Sequence, residues 1–219
     1  MALKILVILG SVRTSSPPTP ARLGLRVAKC CVHQLAQSNH DVVLIDPLDY
    51  DLSDPFTPLF SYAPGKAPEK IQQLAHQIET ADGYVMVSPE YNHAMSPALA
   101  NLLNHFGSSL FSYKPSAIVT NSAGQWGGVR AAVNMRTFLA ELGCLPVSAM
   151  IHIPKAQEVL KEDGSYAKGA NDADWTGYCE RTFGQLTWWA MAAKRYRSSE
   201  ESESRPTAFT RNPSQRNAP

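Results

Sequence analysis

Five short apolar runs, each leading into a loop of small or polar residues, set the rhythm of the chain. Ile5-Leu6-Val7-Ile8-Leu9 ends at Gly10-Ser11, Asp41 to Asp46 carries Val42-Val43-Leu44-Ile45, and Tyr84-Val85-Met86-Val87 ends at Ser88-Pro89. Ser116 to Asn121 and Val147 to Ile153 complete the set, the last closed by Pro154. Runs this short, bounded by turn formers, predict strands buried in a parallel sheet rather than helices. Between them the apolar period changes to that of a helix. Val27, Cys31 and Leu35 mark the first helix, Ile71, Leu74, Ala75 and Ile78 the second, and Leu99, Leu102, Leu103 and Phe106 the third. Ala132, Met135, Leu139 and Leu142 mark the fourth. From Trp175 a last helix places Tyr178, Cys179, Leu186, Trp189, Ala190 and Ala193 on one core-facing stripe. The expected boundaries are Thr19 as cap with Pro20 at the first position, Ser96 with Pro97 likewise, a break at Asp82-Gly83, and Gly143 as a C-terminal cap. Strands alternating with helices predict an α/β fold: a doubly wound five-stranded parallel sheet with helices on both faces. Ligands of such a sheet sit beyond the carboxyl ends of its strands, where strand order switches.

Two segments break the rhythm. Residues 46 to 68 are dotted with Pro47, Pro55, Pro58, Pro64 and Pro68 and carry Leu52, Phe56, Leu59, Phe60 and Tyr62. A connection of that length is uncommon unless it binds or packs against something, so it reads either as a site wall or oligomer contact or as a meandering crossover. Residues 198–219 hold five serines, three prolines and almost no apolar side chains. They read as a disordered tail following one domain over residues 1–197. The stretch from Lys161 to Ser165 is polar and turn-like.

Charge narrows the choice of partner. Twenty Lys and Arg against 19 Asp and Glu leave a formal +1, no surplus for nucleic acid or an anionic membrane. The four cysteines, Cys30, Cys31, Cys144 and Cys179, lack CxxC spacing and read as reduced core thiols, and the histidines show no metal spacing. The five apolar residues after Met-Ala-Leu-Lys are too few for a secretory segment, so the expectation is a cytoplasmic protein.

The chemistry lies in three loops. After the first strand, Gly10-Ser11-Val12-Arg13-Thr14-Ser15-Ser16 offers small residues whose backbone N–H groups can turn toward an anion, with Arg13 as a charge-assisted fork. It lacks the GxGxxG and GxxxxGK[ST] spacings of the familiar dinucleotide and triphosphate loops. After the third strand comes Ser88-Pro89-Glu90-Tyr91-Asn92-His93, and after the fourth comes Ser122-Ala123-Gly124-Gln125-Trp126-Gly127-Gly128, with three glycines in five positions. An anion loop flanked by mixed aromatic and backbone-rich loops suits a phosphorylated planar heterocycle, flavin mononucleotide above a bare metal or a nucleophile.

These three loops, extended through Val129-Arg130-Ala131, resemble the signature loops of the NADPH-dependent FMN reductase family, relatives of quinone, azo and chromate reductases, over roughly residues 3 to 153. The resemblance implies a flavodoxin-like fold, bound FMN, NADPH as co-substrate, and homodimers or homotetramers in which a neighbour helps wall the site. It implies that hydride passes from NADPH to the flavin and electrons then pass to a small acceptor: a quinone, an azo compound, a free flavin or an oxidised metal. Carried over by position, Ser11, Arg13 and Ser16 hold the FMN phosphate, with Thr19 or Arg22 as alternatives to Ser16. Pro89, Glu90, Tyr91 and Asn92 follow the ring edge, and Ser122, Gly124, Gly127 and Gly128 flank its other side. No side-chain acid or base is required, because the cofactor carries the chemistry. Glu90 has no adjacent partner to make it a general base, His93 reads as a nucleotide contact or a locally held loop residue, and Arg130 as a nucleotide-phosphate ligand or a helix start. The competing readings are a flavodoxin-like FMN electron carrier that does not oxidise NADPH, and a flavin-free scaffold.

Overall fold

Alternate residues of the apolar runs point to opposite sides of one sheet, and each side is roofed by helices. The computed structural model describes residues 2–15, 19, 22–52 and 56–199. In chain order the elements are β1 (Lys4–Leu9), α1 (Leu23–Ala36), β2 (Asp41–Ile45), α2 (Glu69–Thr80), β3 (Gly83–Pro89), α3 (Pro97–Asn104), α4 (Ser108–Phe111), β4 (Ser116–Asn121), α5 (Val129–Leu142), β5 (Ile151–Ile153), α6 (Ala156–Val159) and α7 (Asp172–Arg197). The strands pair in parallel in the order β2-β1-β3-β4-β5. This is the five-stranded α/β sheet that the sequence pattern predicts. Ile5, Val7, Leu9, Val85, Val87, Ala117 and Val119 pack with α1, α6 and α7, while Leu6, Ile8, Tyr84, Met86 and Ile118 pack with α2, α3, α4 and α5. A one-residue slip would exchange the two sets, so the double burial fixes the register.

Ser96 caps α3 by accepting from Leu99 N at 3.1 Å, with Pro97 at the first position. Gly143 ends α5 at φ 92°, a left-handed cap that glycine adopts without Cβ strain. Other boundaries differ from expectation. Helix α1 starts at Leu23, not beside Thr19, because the chain is held at Arg22, whose guanidinium forks onto Asp46 beyond β2. Pro20 lies outside the described residues. Helix α7 starts earlier than expected because Asn171 caps it, its side chain accepting from Ala173 N and Asp174 N. Strand β5 is only three residues long. Pro146 bridges to Ser116 and Ile151 pairs with Val119, five residues against three, so the chain bows out between them, and Ala149 N donates to Gln185 of α7 instead of to the sheet. Trp189, expected in the core, is 53% exposed; the buried stripe of α7 is Cys179, Thr182, Phe183, Leu186 and Ala190. The tail, apart from Ser198 and Ser199, also lies outside the described residues.

At the amino end of the sheet, Asp82 accepts from Lys4 N, from Lys194 at 2.7 Å and from Arg197 at 3.1 Å, fastening the end of α7 there. Nearby Lys114 is buried and donates to the carbonyls of Ile78, Glu79 and Leu110 and to the Tyr84 hydroxyl. These braces leave the opposite, carboxyl end to the loops.

Candidate active site

The loops after β1, β3 and β4 meet where the strand order reverses, since the chain steps from β1 out to β2 and returns past β1 to β3. Gly10 lets the first loop lie against α3. Its N–H donates to the Val87 carbonyl at 2.7 Å, and a Cβ there would come within 2.8 Å of Leu99 Cβ and Ser96 Oγ. Ser96 in turn donates to the Gly10 carbonyl, so one hydroxyl caps α3 and ties it to the loop. Arg22 pairs with both oxygens of Asp46 at 2.8 Å and also donates to the Ser11 carbonyl. Burial alone would raise the Asp46 carboxyl, but the Arg22 guanidinium and the Leu48 N–H hold it below its ordinary value. Arg22 is therefore a brace for the loop, already committed within the protein. Arg13 is exposed, and among the described residues its guanidinium has no protein partner.

In the second loop Tyr91 and Ala94 exchange backbone hydrogen bonds of 3.0 and 2.9 Å around Asn92 (φ 49°) and His93 (φ 65°). Two consecutive left-handed residues make the tight turn that asparagine tolerates well. Asn92 is thereby carried to the exposed tip of the turn, whereas Pro89, Glu90 and Tyr91 line the cleft. Glu90 crosses to the third loop, where its carboxylate accepts from Ala131 N at 3.4 Å. Helix α5 has no acidic residue in its first turn and no side-chain cap at Gly128, so Glu90 supplies from another strand what α5 lacks locally. Arg130 Nη1 and His93 Nε2 lie 3.9 and 4.0 Å from the same carboxylate.

The third loop is folded on itself by Ser122, whose hydroxyl donates to Gly124 O at 2.7 Å and accepts from Gly127 N at 2.9 Å. Gly127 and Gly128 have φ 60° and 79°, and a Cβ at Gly128 would stand 2.9 Å from Thr120 Cβ. Thr120 is held from behind by His152 Nδ1 at 2.8 Å. Burial and the Arg181 charge lower the His152 pKa. Gly124 faces open space.

Together the loops enclose a cleft of about 250 Å³ that brings Ser11, Arg13, Pro89, Glu90, Tyr91 and Ser122 together. Ser16 lies outside the described residues, and Gly124, Gly127 and Gly128 shape the third loop beyond the lining itself. Four lining residues, Leu23, Gly24, Asn121 and Ala123, went unselected in the sequence, and two of them bear on the site. Gly24, in the first turn of α1, would place a Cβ 3.0 Å from Ser11 Cβ. Asn121 ends β4 almost fully buried, with a carboxamide oxygen that has no hydrogen-bond partner. Its signal was a polar residue closing an apolar run at the carboxyl end of a strand. An exposed cation in Arg13 and a buried acceptor in Asn121 suit a ligand carrying both an anion and a donor, as a flavin nucleotide does with its phosphate and its ribityl hydroxyls.

A larger groove of about 1,100 Å³ lies apart, between α3, α5 and the proline-dotted segment, lined by Phe56, Phe60, Phe106 and Phe138. It holds no arginine or lysine to receive a phosphate. Among the described residues no three side chains could hold a metal ion, and no helix is long and apolar enough to cross a membrane.

A model of the family described as NADPH-dependent FMN reductase matches residues 3–158. The chain is 37% identical over 92 residues to an NADPH azoreductase of Bacillus sp. (strain OY1-2), covering 42% of this chain and 52% of that protein. It is 33% identical over 147 residues to a 2-hydroxy-1,4-benzoquinone reductase of Burkholderia sp, covering 65% and 73%. The match thus spans about half the length of the azoreductase. Among solved structures, the flavoenzyme NAD(P)H:(acceptor) oxidoreductase FerB of Paracoccus denitrificans shares the fold, with a TM-score of 0.67 at 19% identity over 87% of this chain and 98% of that one.

Proposed function

The chain belongs to the NADPH-dependent FMN reductase family, and from that premise we propose that it binds FMN in the cleft after β1, β3 and β4, oxidises NADPH, and reduces a small acceptor. Quinones and azo compounds are the acceptor classes favoured by the matched relatives, with free flavins and oxidised metals also within reach. The observation that carries the reading is the pairing, in one cleft at the switch point, of Arg13, without a partner among the described residues, and Asn121 with an orphaned buried oxygen.

FMN, when bound, supplies the acceptance of a hydride and its return as electrons to the acceptor. The residues supply its setting. Arg13 and the Ser11 loop take the phosphate, and the Arg22–Asp46 pair keeps that loop from moving when charge arrives. Pro89 to Tyr91 and the loop from Ser122 to Gly128 bracket the ring, with Glu90 bolting the two loops together through Ala131 N. Enclosing pockets for ligands of this size run to about 300–1,000 Å³, so a cleft of about 250 Å³ leaves part of the ligand uncovered, as successive visits by nucleotide and acceptor require.

The protein works as a homodimer or homotetramer in this reading. Phe56 and Phe60 are 50% and 44% exposed at the apolar groove that lies apart from the cleft, which favours a second copy covering them. The apolar face of α3 is not available to a neighbour, because Leu99, Leu102 and Leu103 are fully buried inside the subunit. Four buried free thiols fit a reducing, cytoplasmic setting. The test is steady-state reduction of a benzoquinone by NADPH with the FMN-reconstituted protein, alongside light scattering. Turnover well above that of free FMN, from a particle of at least twice 24.0 kDa, is expected; turnover no faster than free FMN refutes the reading.

A further inference from the structure

Tyr91, His93, Trp126 and Arg130 stand exposed on the rim of the cleft around Glu90. Trp126 is 59% exposed, and the Arg130 guanidinium lies 5.5 Å from its ring centroid. A largely exposed indole on a glycine-rich loop is a costly thing to leave in water, and an exposed aromatic plane beside a site marks a contact surface. The guanidinium is only lightly engaged from the other side. Glu90 sits 3.9 Å away with its second oxygen bound to Ala131 N, and the Arg130 side chain is 47% exposed, so donors remain available to a ligand. The pairing sets the guanidinium over one face of the indole, the first suited to a phosphate and the second, by its other face, to a purine.

We infer that Trp126 and Arg130 form the subsite for the 2′-phosphorylated adenosine end of NADPH, with the adenine stacked on the indole and the 2′-phosphate taken by the guanidinium. The inference rests on the reading of the cleft as the flavin site, which places the nicotinamide end inside and the adenosine end at the rim. Arg130 is thereby the residue that separates NADPH from NADH. Arg13 cannot serve both roles, since it belongs to the phosphate of the cofactor itself.

The test needs no turnover. Calorimetric titration of the FMN-reconstituted protein with 2′-phosphoadenosine and with adenosine should show the phosphorylated nucleoside binding at least about tenfold tighter, the scale of one hydrogen bond to a charged group. Arg130→Gln should erase that difference and Arg130→Lys should restore part of it, whereas Trp126→Ala should weaken both ligands together. In parallel, Arg130→Gln should raise the ratio of KM for NADPH to KM for NADH about tenfold. Equal affinity for the two nucleosides in the native protein, or an unchanged KM ratio in Arg130→Gln, overturns the assignment. Failure to hold FMN would instead overturn the reading of the cleft, because the rim titration can be run on the protein with or without cofactor.

Discussion

Replacing Gly128 by alanine tests whether the third loop is shaped by its backbone rather than by side chains. At φ 79° an L-residue is strained by about 1–2 kcal/mol, and the new Cβ would stand 2.9 Å from Thr120 Cβ, which cannot retreat because His152 holds its hydroxyl at 2.8 Å. Overpacking of this kind costs about 1–3 kcal/mol, while alanine returns about 0.5–1 kcal/mol by restricting the unfolded chain. The net loss is about 1–4.5 kcal/mol, a large share of the roughly 5–15 kcal/mol that holds a typical domain folded. Gly124→Ala in the same loop provides the control, since Gly124 has ordinary backbone geometry and nothing within 4 Å of its Cβ. It should shift stability by less than about 1 kcal/mol. Urea unfolding of the FMN-free proteins reads the difference as a drop of about 1 M in midpoint for Gly128→Ala alone, given slopes of about 1–3 kcal/mol per molar urea. FMN titration should show weaker binding for Gly128→Ala as the displaced loop opens the cleft. Equal midpoints for the two variants would refute the account of how this loop is built.

Arg13→Ala should weaken FMN by about 1.5–3 kcal/mol and leave riboflavin, which lacks the phosphate, nearly unchanged; equal weakening of both would show that Arg13 is not the phosphate contact. Lys114 offers a pH test. Burial, and then the Arg197 charge, lower its pKa from 10.5 to about 7, so above that value the unfolded chain binds the proton that the native protein does not, and stability rises with pH. The rise should be followed only to about pH 9, where the four buried thiols begin to oppose it: each is held above its ordinary 9.0 by burial, so the unfolded chain loses those protons first. Over that window the gain is up to about 2.5 kcal/mol, and Lys114→Met should flatten it; a native protein that loses stability from pH 7 to 9 would contradict the burial argument. Asp46→Asn should loosen the first loop, seen as a faster release of FMN with the ring spectrum unchanged, and an unaltered release rate would mean that the Arg22–Asp46 pair braces nothing that the ligand uses.

The sheet was legible because strands buried on both faces have to be apolar end to end, and helices facing them repeat with their own period. Where one local signal decided an element, as Ser96-Pro97 did for α3 and Gly143 for α5, sequence and structure agree closely. Expectation failed where a distant partner decided. Arg22 reaching Asp46 sets the start of α1, Gln185 taking Ala149 N shortens β5, and neither contact leaves a trace in local spacing. Trp189 fell on a helical stripe yet faces out, because a helix as long as α7 drifts relative to the sheet and only part of its length is covered. In the site, the loops could be read from their small residues and strand-end positions. The cross-loop task of Glu90 could not, since its partners Ala131 N and Arg130 lie about forty residues on. Asn121 was hidden by its membership of a strand, and only the orphaned oxygen reveals what it awaits.

The central claim is that this cleft holds a flavin nucleotide that NADPH reduces directly. Mixing the FMN-reconstituted, desalted protein with NADPH in the absence of oxygen and following the yellow flavin absorbance tests it in a single half-reaction. The account predicts that FMN stays with the protein through desalting, that the colour bleaches far faster than free FMN does under the same conditions, and that a benzoquinone added afterwards restores it. A protein that keeps its colour in the presence of NADPH, or that loses FMN on desalting, contradicts the claim.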